Sequence, residues 1–80
     1  LRAYGPFADY LRKHPFHHSQ VERNDMGTFT SFDYMLLVTD ELVDEILALG
    51  DKVEITFPEK LRMKLLQKIG RIRNRYNVSF

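Results

Sequence analysis

Two apolar periods run through this chain, and the change from one to the other marks its elements. They meet between Leu42 and Pro58. On a wheel of about 100° per residue, Leu42, Val43, Ile46, Leu47 and Leu49 gather on one face, with Asp40, Glu41, Asp44, Glu45 and Ala48 opposite. That pattern predicts a helix from Asp40 to Gly50 with its acidic side to water. Thr39 is placed to cap it, with Asp40 and Glu41 at the positive end of its dipole. Gly50 can take the left-handed conformation that closes a helix. The period then drops to two. Val53, Ile55 and Phe57 alternate with Glu54 and Thr56, which predicts a half-buried strand, and Pro58 suits the first turn of a new helix.

The same reading extends to both ends. Leu1–Gly5 predicts a short strand, one that begins before this sequence does. Pro6 opens a helix to about Lys13, with Phe7, Tyr10, Leu11 and His14 on one face, and Pro15 stops it. Phe16–Gln20 is a connector. Val21–Arg23 and Thr28–Val38 predict two strands joined by the turn Asn24-Asp25-Met26-Gly27, an antiparallel hairpin. In the longer strand Phe32, Tyr34, Leu36 and Val38 share one side; Phe29, Ser31, Asp33, Met35 and Leu37 share the other. A last helix, Glu59–Tyr76, carries an apolar stripe of Leu61, Leu65, Ile69, Ile72 and Tyr76, with Gly70 leaving room for a close contact.

The order β-α-β-β-α-β-α predicts an α+β fold: a ferredoxin-like, split β-α-β-β-α-β sandwich, with two helices on one face of an antiparallel sheet and an added C-terminal helix. The stripe of that added helix needs cover from the sheet's other face, a sheet edge or another chain. Apolar residues on both sides of Thr28–Val38 predict that both sheet faces are at least partly covered.

Eighty residues are one domain, spanning 1–80, with a marginal core. With hydrophobic residues at 44% and charged residues at 29%, the chain reads as soluble and globular rather than disordered. It has no cysteine, which excludes disulfides and thiolate metal sites, and no apolar run long enough to span a membrane. The opening on Leu1 reads as a piece of something longer. Net charge is only +1, but the signs are segregated. Asp40, Glu41, Asp44, Glu45, Asp51 and Glu54 face a single base, Lys52, in one stretch; Glu59–Tyr76 holds seven bases and one acid. Lys60, Lys64, Lys68, Arg71 and Arg75 share a band about 80° wide beside the apolar stripe, with Arg62 and Arg73 on the other flank. Such a band can follow a phosphate backbone without reading sequence, or be a solvated face, paired with acids of a neighbouring molecule.

Other constellations carry less. His14, His17 and His18, near Asp9, lack zinc-ligand spacing, so no metal or cofactor is expected. The acids of Asp40–Glu45 lack the spacing and central glycine of a calcium loop. Phe29, Phe32 and Tyr34 are similar to the stacking residues of RNA-binding sheets, but without the basic-glycine-aromatic signature they are expected to pack. No nucleophile or acid–base pair stands out, and a non-enzymatic role is expected.

Three segments, in order, resemble one family. Leu1-Arg2-Ala3-Tyr4-Gly5 resembles the opening of the WCX domain, the C-terminal extension of bacterial WYL-domain helix-turn-helix transcription regulators. Pro15-Phe16-His17-His18-Ser19-Gln20 resembles its Pro-aromatic-His-x-Ser-Gln segment. Ile46 to Pro58 resembles its helix, Gly-Asp, Val-Glu-Val and x-x-Pro segment, with Leu49 where an aromatic often precedes the glycine. The resemblance implies a cytoplasmic, non-catalytic regulatory domain. Its implied partners are a second copy in a homodimer and DNA through an upstream helix-turn-helix domain. A WYL barrel would sense an effector, with a nucleotide or single-stranded nucleic acid as the suspected ligand, and this domain would help relay the signal. His17, Ser19 and Gln20 match the family's polar connector, where a structural role is expected. The alternative reading is a single-stranded nucleic-acid-binding module using Lys60, Lys64, Lys68, Arg71 and Arg75.

Overall fold

The computed structural model describes residues 1–76. Its elements are β1 (Arg2–Tyr4), α1 (Pro6–Lys13), β2 (Val21–Asp25), β3 (Phe29–Asp33), α2 (Asp40–Ala48), a 3-10 turn at Gly50–Lys52, β4 (Val53–Glu54) and α3 (Glu59–Tyr76). The sheet has four strands in the order β2-β3-β1-β4, every pairing antiparallel. The chain is therefore a small α+β domain. No helix among the described residues is long and apolar enough to cross a membrane.

Local chemistry explains most boundaries. Thr39 is extended and its hydroxyl accepts from the Leu42 N–H at 3.1 Å, so α2 starts where expected. It ends at Ala48, two residues short of the expected Gly50, which has φ +64° and turns the chain into the 3-10 segment. The hairpin turn sits slightly later than the sequence predicts. β2 runs on to Asp25, whose carboxylate accepts from the Gly27 N–H at 2.9 Å, and a bulge lies between Glu22 and Asn24.

Two strands are shorter than their alternation. β3 stops at Asp33 rather than Val38, and β4 at Glu54 rather than Phe57. The alternation itself persists. Tyr34, Leu36 and Val38 pack on the core side, while Met35 and Leu37 are 86% and 84% exposed. The departure is Phe57, which the alternation points inward and which is 81% exposed.

The core lies on one face of the sheet. α1 sets Ala8 and Leu11 on Ala3 and Phe32. α2 sets Leu42, Val43 and Ile46 against Ile55 and α3's Leu61 and Leu65. Half-buried Leu1, Phe16 and Val53 join the two clusters. On α1 the buried pair is Ala8 and Leu11; Tyr10 and His14 turn outward, Tyr10 stacked on Phe7. Both sheet faces were expected to be at least partly covered; among the described residues the outer face is covered only by its own side chains. Arg2, Tyr4, Phe29 and Glu54 occupy the outer face and pack on one another: the Arg2 guanidinium lies 4.6 Å from the Phe29 ring centre, and Tyr4 donates to Glu54 at 2.6 Å. A cation–aromatic contact and a charge-assisted hydrogen bond let that surface stay wet.

Candidate functional site

Two structural features set this surface apart: a cleft beside the end of β3, and the far half of α3. The cleft has a volume of about 610 Å3 and opens between Tyr34–Val38 and Ile55–Pro58. Leu42, Ile46 and Leu61 lie along it, and Leu1 and Phe32 close the end where β1 begins. Its wall is built by the connector. Pro15 ends α1, leaving late carbonyls without helical partners. The Gln20 amide donates to the Leu11 carbonyl at 2.8 Å, and its oxygen accepts from the Phe16 N–H at 3.1 Å and from the Tyr34 hydroxyl at 2.5 Å. Ser19 Oγ lies 2.8 Å from His17 Nδ1 and accepts from the Met35 N–H at 2.9 Å. His17 Nδ1 also accepts from the Ser19 N–H, which puts the neutral ring's proton on Nε2. His17, Ser19 and Gln20 thus act together as a clamp holding Tyr34 and Met35. Burial raises the Tyr34 phenol to about 12, so it stays a hydrogen-bond donor at neutral pH.

Two of the five cations of the α3 band are paired within the chain. Lys64 lies 3.7 Å from Asp40 and Lys68 3.2 Å from Asp44. Both partners advance by four residues, so α2 and α3 run side by side in the same direction. The acidic face expected to meet water or a neighbouring molecule is partly matched within the chain. Among the described residues, Lys60, Arg71 and Arg75 have no acid within 4.0 Å. With 18 residues against 9, α3 outruns α2. Leu61 and Leu65 are buried, but Ile69, Ile72 and Tyr76 are 47%, 43% and 80% exposed on the same stripe.

The remaining candidates separate. The His17 and His18 rings are tilted with their centres 4.0 Å apart, yet no three metal-ligating side chains converge among the described residues. Phe32 is core, Phe29 faces outward and Tyr34 belongs to the clamp. Sequence reading missed Arg12, which pairs with Asp9 on its own helix and ties α1 to the hairpin through Glu22 at 2.7 Å and Asp25 at 3.6 Å, and donates to the buried Thr30 hydroxyl at 3.2 Å. Nothing in the sequence separates it from Lys13, the other base of α1. No protein-family model matches the chain, and neither a curated protein nor a solved structure is significantly similar to it.

Proposed function

We propose that the chain is a non-catalytic regulatory domain of the WCX kind, which self-associates and relays effector occupancy within a bacterial transcription regulator. The observation that carries this reading is the overhang of α3. Its apolar stripe continues through Ile69, Ile72 and Tyr76 past the end of α2, where the described residues offer no cover. Exposed apolar side chains in a row mark a docking surface. Charge favours a second copy as the occupant. Glu41 and Glu45 lack a cation within 4.0 Å among the described residues, and Arg71 and Arg75 lack an acid; a second copy brings both. Two further features support the family reading. The order β2-β3-β1-β4, all antiparallel, is what a split β-α-β-β-α-β arrangement requires, and the polar connector residues carry a structural role.

Sedimentation equilibrium tests it. The chain is expected to dimerise, and Ile69→Glu with Ile72→Glu to leave a folded monomer, because neither side chain is in the core. A wild-type chain monomeric into the high micromolar range, or a double variant that still dimerises, refutes the reading.

A second reading is single-stranded nucleic-acid binding along α3, favoured by the cations that stay unmatched. It predicts that Arg71→Glu with Arg75→Glu abolishes binding of a labelled oligothymidylate in fluorescence anisotropy, while Lys64→Ala with Lys68→Ala weakens it less. Equal losses would sink that division of labour.

A further inference from the structure

The apolar stripe of α3 reads the same in both directions. Leu65, Ile69, Ile72 and Tyr76 follow one another at steps of four, three and four residues, so the row is symmetric about the midpoint between Gly70 and Arg71. Alternating steps of three and four are the spacing of a seam between paired helices. A second α3, rotated by half a turn about that midpoint, sets its Ile72 on Ile69 and its Tyr76 over Leu65. At the Leu65 end the surface is hollow. A groove of about 460 Å3 lies between α3 and the segment leading from α2 into β4, with Leu65, Leu66 and Ile69 on one wall and Leu47, Asp51 and Ile55 on the other. Tyr76, at the opposite end of the row, is bare on its own chain. The most exposed side chain of the stripe and the open groove thus stand at symmetry-related positions. Charge selects the same direction. Within 4.0 Å, among the described residues, Arg73 has no acid and Asp51 no cation. Antiparallel pairing brings the second copy's Arg73 level with Lys68, between Leu66 and Ile69, the residues that share the groove with Asp51. Parallel pairing would instead lay Tyr76 on Tyr76, gather Arg71, Arg73 and Arg75 of both copies at one end, and leave Asp51 without a cation.

Resting on the self-association proposed above, we infer that two copies pair through antiparallel α3 helices, each seating its Tyr76 in the other's groove over Leu65 and its Arg73 beside Asp51. A tyrosine suits that place: its ring meets Leu47, Ile55 and Leu65, and its hydroxyl stays at the open side, in water. The contact is isologous, so each favourable pair occurs twice. It also accounts for the length of α3, since the residues beyond the cover of α2 are the ones that reach the second copy.

The chain has no cysteine, so introduced thiols report the pairing. Ile69→Cys and Ile72→Cys chains, both altered at exposed positions, are mixed in a glutathione redox buffer at a concentration where sedimentation equilibrium shows the dimer. A disulfide is expected in the mixture and in neither chain alone, because only the mixture sets two thiols opposite each other. Ile69→Cys cross-linking alone as readily as in the mixture overturns the antiparallel pairing and leaves self-association standing. A dimer whose mixture does not cross-link also overturns it, by placing the contact elsewhere. A wild-type chain that stays monomeric overturns both readings. Arg73→Asp should weaken dimerisation about tenfold through its two symmetry-related sites, and Asp51→Arg added to it should restore the dimer. Failure of the second change to restore it overturns the placing of Arg73 beside Asp51.

Discussion

Gln20→Ala is the most informative single change in the connector. The side chain makes three hydrogen bonds, to Leu11, Phe16 and Tyr34, joining the end of α1, the connector and the wall of the cleft. Each neutral bond contributes about 1 kcal/mol net, so the expected loss is about 3 kcal/mol. A chain of this length has a total stability of about 4–12 kcal/mol, which makes that a large fraction. At about 4–8 °C per kcal/mol for a domain of this size, Tm should fall by about 12–24 °C. Urea unfolding followed by circular dichroism measures the free energy directly. Tyr34→Phe is the internal control: it removes one of the three bonds and should cost about 1 kcal/mol. Amide exchange adds a spatial readout, since the Met35 N–H held by Ser19 should exchange faster in Gln20→Ala once the adjacent Tyr34 is released. A Gln20→Ala loss no larger than that of Tyr34→Phe would show that the amide does not join the three segments, and the clamp would be an incidental contact.

Other expectations separate covered from uncovered parts of the same elements. Leu65→Ala should cost about 2–5 kcal/mol in denaturant unfolding, whereas Ile69→Ala, one turn further on the same stripe, should cost under about 1 kcal/mol in the monomer. Lys68→Ala removes an ion pair with Asp44 that is open to solvent, so its cost should stay below about 1 kcal/mol and fade as salt is added. The Tyr34 phenol, raised to about 12 by burial, keeps its proton when the unfolded chain loses it near 10. Folding stability should therefore be insensitive to this group below pH 10 and fall above it, because there the unfolded state binds fewer protons. An ultraviolet titration compared with Tyr34→Phe assigns the step, and a Tyr34 that ionises near 10 would contradict its burial.

Element types and most boundaries were legible because local signals agreed with the final packing. Thr39 capped α2, Gly50 took a positive φ, and the stripe from Leu61 ran the length of α3. What sequence could not give were contacts between distant elements. Nothing local says that Arg12 reaches Glu22 and Thr30 across the domain, or that Lys64 and Lys68 meet Asp40 and Asp44. The segregated charges were visible; that two of the bases are matched inside the chain follows only once α2 and α3 lie parallel. The outer sheet face was misjudged for a related reason. Tyr4 and Phe29 look like residues in need of cover, yet Arg2 and Glu54 on neighbouring strands cap them.

The remaining disagreements share one form. Hydrophobic periodicity records which positions want burial, whereas strand and core assignments record which have found it. In Tyr34–Val38 the alternation continues and the backbone partner is missing; in Ile55–Phe57 it continues and Phe57 stays bare; in Ile69–Tyr76 the helical stripe continues and its cover ends with α2. A folded chain whose local signals otherwise match its packing would not keep apolar order at three such places by chance alone. The first two flank one cleft and offer backbone groups as well as apolar area. The third is a helix face with cations beside it and no free backbone, so it calls for a helix or a surface carrying acids. The two places are chemically distinct: one sets backbone groups beside apolar side chains, the other apolar side chains beside cations.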